Sequence, residues 1–427
     1  MPKFQAIRGT KDILPPESAQ FQQLEKHARA VLVRFGYQEI RTPTFEGADL
    51  FQRSLGETTD VVQKEMYVFE DRGGRKLALR PEGTAGVARA FVEHHLSQSA
   101  PFCKLFYMGP MFRAERPHAG RYREFWQIGA EYFRNASPTA DAELLLLVQT
   151  LFSEMGLQDA QLKINSLGDA ECRPKYLAAL TSHIQGVLGS LCEDCQKRAE
   201  KNPLRVLDCK VDGPNLSKIP TLDQYWCADC RSHFAEVQVL LRLAGGSFEV
   251  TPRLVRGLDY YTRTIFEVTS KALGAQDALA AGGRYDKLVK DLDGPNSPAI
   301  GFALGVERTL QAMSASQKTT ENFKESLQVF VAALGEEAAV LAFVLLQDLR
   351  RDLALAQAGL RVEGGFFDKK LGAQLGLADR LGSTHCVIIG EDEIQKSEVT
   401  LRTMKSGLQE RVPTTQLSQH LLSLRRA

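Results

Sequence analysis

No stretch of this 427-residue sequence approaches the roughly 20 uninterrupted apolar residues that a membrane span requires. The N-terminus, Met1-Pro2-Lys3-Phe4-Gln5, lacks the basic-then-apolar pattern of a secretory leader, so the expected location is the cytoplasm. Excess charge of either sign is nearly absent: 53 basic residues face 52 acidic ones, for a formal net charge of +1. That excludes a dedicated nucleic-acid coat protein, although a local basic surface on a neutral protein still binds RNA. Internal repeats and low-complexity tracts are also missing, which excludes a repeat architecture. What remains, 44% hydrophobic and 25% charged residues, is the composition of a globular protein. The chain is too long for one core, so two or three domains are expected.

The first clear element is an amphipathic helix over Ser18 to Phe35, with Phe21, Leu24, Ala28, Val31, Leu32 and Phe35 at helical spacing and Gly36 as its stop. An alternating strand, Tyr37 to Pro43, follows. Further strand-like runs are Met66 to Glu70, Lys76 to Arg80, Lys104 to Phe112 and Arg123 to Phe133. Few long helices intervene, which favours an antiparallel sheet over repeated parallel crossovers. The segment from about 168 to 245 changes character: it is cysteine-rich and mostly helical, and it reads as an inserted subdomain. Strands are expected again over Leu254 to Val268, and a helix near Gly301. Ala312 to Ser326 has the short polar residues of a linker. Beyond it, Leu327 to Ala333, Arg361 to Phe366 and His385 to Ile389 read as strands, and Val340 to Ala358 and Ala373 to Leu381 as helices. That alternation predicts a small α/β domain.

The densest chemistry is Phe112-Arg113-Ala114-Glu115-Arg116 followed by Gly120-Arg121-Tyr122-Arg123-Glu124-Phe125, four arginines within eleven residues. A solvated hairpin tip is one reading. The other is a phosphate site, since arginine's planar fork grips phosphate bidentately and the nearby Phe125 offers a face to a purine.

Phe-Arg-x-Glu-Arg on an antiparallel hairpin resembles the second signature motif of class II aminoacyl-tRNA synthetases. The Ser18 to Phe35 helix with its strand ending at Pro43 resembles the first. Gly301-Phe302-Ala303-Leu304-Gly305-Val306-Glu307-Arg308, a strand-to-helix segment, resembles the third. Two more stretches, Leu254-Val255-Arg256-Gly257-Leu258-Asp259-Tyr260-Tyr261 and Ala281-Gly282-Gly283-Arg284-Tyr285-Asp286, are similar to the histidine-specific signatures of the histidyl-tRNA synthetase family. Arg8 to Pro15 and Leu79-Arg80-Pro81-Glu82-Gly83-Thr84 are similar to it as well, and the likeness covers nearly the whole chain.

The resemblance implies an α+β catalytic domain on an antiparallel sheet (residues 1–325, with the insertion at about 168–245) and an anticodon-binding domain over 326–427. It implies an ATP-dependent ligase that makes histidyl-adenylate and charges tRNA(His), with magnesium as ATP's counter-ion and a homodimer as its assembly. It places Arg113 and Arg256 at the α-phosphate, Arg121 and Arg308 at the outer phosphates, and Phe125, with Tyr122 beside it, at the adenine. Glu131 and Tyr261 would read the imidazole, with Tyr260 beside them. Glu82, Gly83, Thr84 and Gln127 would bind the amino-acid backbone. Read without the family, Glu131 is an exposed strand residue and Tyr260 and Tyr261 are core aromatics. His118-Ala119 stand where the family commonly has Gln-Lys, and Trp126 where a His is common, which leaves open how the tRNA acceptor end is read. A regulatory paralogue that keeps the fold without the activity would usually lack the C-terminal domain and the arginines, and both are present here.

Eight cysteines are present, six of them between Cys172 and Cys230. Cys192-x-x-Cys195 and Cys227-x-x-Cys230, with Cys209 and His233 nearby, have the spacing of zinc ligands. A single structural zinc site stapling the insertion is one expectation; reduced, part-buried thiols are the other. The C-terminal domain, whose charges balance, is also compatible with a packing module.

Overall fold

The computed structural model describes residues 4–424 except 58, 118–119, 208, 210, 213–215, 217–218, 275–276 and 317–327. The chain divides into two compact units, Met1–Thr320 and Glu321–Ala427.

The first unit contains the strands β1 (Gln38–Glu39), β2 (Phe45–Gly47), β3 (Val68–Glu70), β4 (Lys76–Leu79), β5 (Cys103–Phe112), β6 (Glu124–Phe133), β7 (Gln161–Ser166), β8 (Glu249–Val250), β9 (Thr262–Thr269), β10 (Ala278–Arg284) and β11 (Ala299–Gly305). Among the described residues, eight of them form one sheet in the order β1-β5-β6-β11-β10-β9-β7-β8. Its interior is antiparallel; only the edge pairs β1 with β5 and β7 with β8 run parallel. A smaller sheet, β2-β4-β3, stands beside it.

The Glu17–Arg34 helix buries Phe21, Leu24, Ala28, Val31 and Leu32, the stripe that the 3.6-residue period requires. It stops where Gly36 adopts φ +83 and Tyr37 donates its N–H back to the Leu32 carbonyl. Of the strand expected over Tyr37 to Pro43, only Gln38–Glu39 pairs. β5 and β6 form a long hairpin in continuous register from Cys103 opposite Phe133 to Phe112 opposite Glu124, so the arginine-rich segment is its tip.

Three expectations are corrected. Of the strand expected over Leu254 to Val268, only the part from Thr262 forms. Leu254 to Tyr261 joins no ladder, since Leu254 and Asp259 donate their N–H groups to the Thr251 and Leu55 carbonyls and several of its carbonyls accept from side chains. Asn165 Nδ2 donates to the carbonyls of Pro252 and Leu254, 3.0 Å each, and Arg173 donates to those of Asp259 and Tyr261, 3.3 Å each. The helix expected near Gly301 begins at Val306; Ala299–Gly305 is strand β11. A short apolar run between two neighbours reads the same as a buried helix. Finally, Ala312 to Ala315 belong to the Val306–Ala315 helix, with Ala312 and Met313 buried, and not to a linker. The remainder of that predicted linker, apart from Ser316, lies outside the described residues.

Between β7 and β8 the chain forms helices Cys172–Val187, Glu193–Lys201 and Ala228–Leu243. Buried residues from all three, among them Leu180, Cys195 and Val237, are closed off from solvent, and the first two helices share the apolar core of β5 and β9.

The second unit has the strands β12 (Gln328–Ala333), β13 (Arg361–Gly364), β14 (His385–Ile389), β15 (Glu398–Thr403) and β16 (Gln409–Pro413), in the order β13-β12-β14-β15-β16. The first three are parallel and connected by helices, as expected; β15 and β16 add an antiparallel hairpin. The helix expected over Val340 to Ala358 is two, Glu336–Arg351 and Leu353–Gln357. Asp352 breaks the run, and its carboxylate caps the second helix by accepting from the N–H groups of Ala354 and Leu355. Among the described residues, no helix is long and apolar enough to cross a membrane.

Candidate active site

Strand β6 sets the frame. Side chains alternate along it, so Phe125, Gln127, Gly129 and Glu131 share one face and Trp126 takes the other. Trp126 packs edge-on against Phe21 of the Glu17–Arg34 helix, with ring centroids 6.3 Å apart, away from the cavity on the opposite face. That cavity encloses about 290 Å³. Arg113, Arg121, Phe125, Arg256 and Arg308 line it, as do Glu82, Thr84, Gln127, Tyr260 and Tyr261. Four segments bring these residues together: 82–84, the β5–β6 hairpin, 256–261 and the start of the Val306–Ala315 helix.

At the hairpin-tip end, cations cluster around two carboxylates. Arg121 Nε lies 2.6 Å from Glu115, Arg113 NH1 lies 4.0 Å from the same carboxylate, and Arg256 NH1 donates to Glu267 at 3.0 Å. Arg113 also donates to the Pro81 carbonyl at 2.9 Å and lies over the Phe125 ring at 5.4 Å. Arg308 is anchored to the carbonyls of Gly120 and Ala278. Burial, with the like charges of Arg121 and Arg113, pushes its guanidinium below the usual value. The other two arginines of the tip do not line the cavity; Arg123 braces the loop through the carbonyls of Arg8 and Glu115. Lys11 sits over the Tyr122 ring at 4.9 Å, covering one of its faces. His118 and Ala119 lie outside the described residues.

Deeper along β6, Glu131 is fully buried and accepts hydrogen bonds from Thr84 Oγ1 at 2.8 Å and from Tyr285 OH. Burial raises its carboxyl to about 8, opposed by those two hydrogen bonds and reinforced by Glu82. The exposed-strand reading of Glu131 is therefore overturned. β6 is an interior strand, and Gly301 of β11 stands directly opposite Glu131. A Cβ on Gly301 would overlap the Glu131 carboxylate, so only glycine leaves room for it. Glu82 is also buried; its two oxygens accept from the backbone N–H groups of Thr84 and Ala85, the first turn of the Thr84–Glu93 helix. Gly83 faces the Tyr107 ring rather than the cavity. Gln127 Oε1 and Arg256 Nε are buried with no hydrogen-bond partner among the described residues, and both residues line the cavity. Buried polar atoms left open in a pocket are what a polar ligand satisfies.

Sequence reasoning assigned no role to Tyr285, Glu115, Glu267 or Glu307. Tyr285 follows Arg284, whose buried guanidinium pairs with Asp141 and Asp286, within the Ala281–Asp286 stretch. Glu307 lines the cavity, accepts from the Trp126 N–H at 3.0 Å and is raised to about 7 by burial.

The cysteines do not form one site. Cys192 and Cys195 join Cys209 and Asp212; Cys227 and Cys230 join Cys172 and Asp169. The two Cys-x-x-Cys pairs begin two different helices and so diverge. His233 belongs to neither group; it bonds Asp141 at 2.8 Å. Each group is able to hold a metal ion.

A family model described as Histidyl-tRNA synthetase matches residues 9–179 and 219–309, and one described as Anticodon binding domain matches 328–424. The chain belongs to the histidyl-tRNA synthetase family. Among similar members, the Histidine–tRNA ligase of Elusimicrobium minutum is 48% identical over 95% of this chain and 96% of its own length. That of Desulfosudis oleivorans is 45% identical over 99% and 98%. The crystal structure of the apo S. aureus histidyl-tRNA synthetase superposes with a TM-score of 0.81 at 34% identity, covering 98% of this chain and 99% of that one. Residues 180–218, which hold the second cysteine group, fall in the gap of the histidyl-tRNA synthetase match.

Proposed function

We propose that this protein activates L-histidine with ATP and transfers it to the 3′ end of tRNA(His), and that the cavity is where both steps occur. One observation supports this most: four arginines line a cavity that the buried carboxyl of Glu82 also lines, with Glu131 buried just behind Thr84 and Tyr285 of its wall. Two anions, the histidine carboxylate and the α-phosphate, have to meet, and preset guanidinium groups offset the charge as it builds. Arg113 and Arg256 are assigned to the α-phosphate, and Arg121 and Arg308 to the outer phosphates. Phe125, whose ring already carries Arg113, is assigned to adenine. ATP arrives with its magnesium ion. The carboxylate oxygen bonds to the α-phosphorus as the bond to pyrophosphate breaks, and pyrophosphate leaves; magnesium bound to ATP would supply counter-charge to the departing phosphates.

Tyr261 and Glu131 are assigned to the imidazole, which carries one donor and one acceptor when neutral; Tyr260, Tyr261 and Tyr285 line the cavity, and Glu131 stands behind Tyr285. Glu82, Thr84 and Gln127 are assigned to the amino-acid backbone; Gly83 serves by leaving space for Tyr107. In the second step the terminal ribose hydroxyl attacks the acyl carbon and AMP departs. Glu82 and Glu131 are committed to buried hydrogen bonds, so the proton is assigned to a phosphate oxygen of the adenylate itself.

The first unit is read as the catalytic domain and the second as the anticodon-binding domain, in a cytoplasmic enzyme. A C2 homodimer is part of the reading, and the exposed Phe45, Val68 and Phe69 on the β2-β4-β3 sheet, close to the first motif, support it. A structural metal in the cysteine-rich segment is also included, with no part in the chemistry. The test is ATP–pyrophosphate exchange with each amino acid in turn. Exchange with histidine alone is expected; no exchange while histidine still binds would point to a regulatory paralogue.

A further inference from the structure

We propose that the segment between β7 and β8 carries two independent zinc centres, each made of three cysteine thiolates and one aspartate. The first is Asp169, Cys172, Cys227 and Cys230; the second is Cys192, Cys195, Cys209 and Asp212. In each group the four ligand atoms lie within 4.8 Å of one another. Zinc–thiolate bonds of about 2.3 Å in a tetrahedron set sulfur–sulfur edges of about 3.8 Å, and slightly shorter sulfur–oxygen edges. The Cys192 and Cys209 sulfurs are 3.9 Å apart, Cys209 Sγ is 3.8 Å from Asp212 Oδ2, and Cys227 Sγ is 3.7 Å from Asp169 Oδ2. These are tetrahedral edges with room for a single ion at the centre. The cysteines of both groups are unpaired, and Cys192 and Cys209 at 3.9 Å stand well beyond the roughly 2.0 Å of a bonded pair. An iron–sulfur cluster takes four cysteines around a larger core, and each group has three.

Both groups are held ready by backbone donors, as outer-shell contacts hold metal ligands. In the first, Asp169 Oδ1 accepts from the N–H groups of Glu171 and Cys172, which turns Oδ2 toward Cys227. Cys172 Sγ accepts from Cys227 N at 3.0 Å, and Cys227 Sγ from Cys230 N at 3.4 Å. In the second, Asp212 Oδ2 accepts from Cys192 N at 3.0 Å and Cys209 Sγ from Asp212 N at 3.4 Å. Cys192 and Cys227 each stand at a helix N-terminus, where negative charge is favoured. Three thiolates select a soft, tetrahedral divalent ion, and each ion bound releases the thiol protons to solvent.

The centres would fix the wall behind the amino-acid pocket. Arg173, next to Cys172, holds the carbonyls of Asp259 and Tyr261. Asn202 and Arg205, between Cys195 and Cys209, hold the Asp259 side chain at 3.0 Å and the Gly257 carbonyl at 3.4 Å. Both centres therefore brace the loop that carries Arg256, Tyr260 and Tyr261.

The experiment is zinc content by elemental analysis of full-length protein purified without chelator. Two zinc ions per chain are expected, one for each group. The variants Cys230→Ser and Cys195→Ser should each retain one, and Cys103→Ser, outside both groups, should retain two. Zero or one ion in the parent protein overturns the proposal without reference to any variant. Two in the parent with none in either single variant would overturn the independence of the centres. The readout is metal and not catalysis, so this outcome and that of the exchange assay are separable.

Discussion

At the scale of the residue, Glu131 joins stability to recognition in one side chain. Its carboxyl is raised to about 8 by burial, so the folded protein keeps a proton that the unfolded chain releases in the ordinary carboxylic range. Between those two values the folded state binds more protons, and stability falls as pH rises. Glu131→Gln removes that titration. Compared with the parent, the variant should gain stability steadily from about pH 5 to pH 8, by on the order of 3–4 kcal/mol at the upper end. Thermal unfolding across that range measures it, and parallel pH profiles for the two proteins would refute it. The same variant should lose about 3 kcal/mol of transition-state stabilisation, roughly a hundredfold in kcat/KM for histidine. The motif spacing alone could not distinguish this residue from a solvated one. Its burial follows from β11 pairing with β6 and from the missing side chain at Gly301, and both are tertiary facts. Arg113 and Arg121, by contrast, belong to an arginine cluster that is legible in the sequence, although Arg116 and Arg123 of the same cluster do not line the cavity; Arg256 and Arg308 are legible only through the resemblance. Glu115 and Tyr285 lie within the motifs, and only their partners show what they do.

At the scale of the element, the loop before β9 is decisive and was the hardest to read. Leu254 to Tyr261 is apolar and aromatic enough to resemble a strand, yet Asn165, Arg173, Asn202 and Arg205 satisfy it from outside. Such partners, distant along the chain, leave no local trace. Arg173→Ala removes two of these bonds without touching the cavity lining. We expect KM for histidine to rise by about tenfold, roughly 1.4 kcal/mol for two neutral acceptors, with KM for ATP nearly unchanged. Equal rises for both substrates would show that the loop does not act selectively. The hairpin β5–β6 and the Glu17–Arg34 helix were legible, since each carries its period along its whole length. The β15–β16 hairpin was not, because its strands are short, polar and partly exposed.

At the scale of the whole molecule, the division between Met1–Thr320 and Glu321–Ala427 implies two cores that close independently. The second unit has its own buried set, including Val329, Val331, Val387 and Leu401. A protein ending after Thr320 should keep histidine-dependent pyrophosphate exchange, lose most tRNA charging, and still elute as a dimer by light scattering. Full charging by the shortened protein would remove the anticodon-binding role from the second unit; a monomer would move the dimer contact away from the β2-β4-β3 sheet.

Strand β6 also acts as a gauge. Phe125 and Glu131, assigned to opposite ends of the bound adenylate, lie six positions apart on one face, about 20 Å at an antiparallel strand's rise per residue. Losing or gaining one residue between them would turn one end of the reading face toward the Glu17–Arg34 helix; two would keep the face and miscut the length by about 7 Å. Drift in this protein can therefore alter the letters along that strand, but not their number.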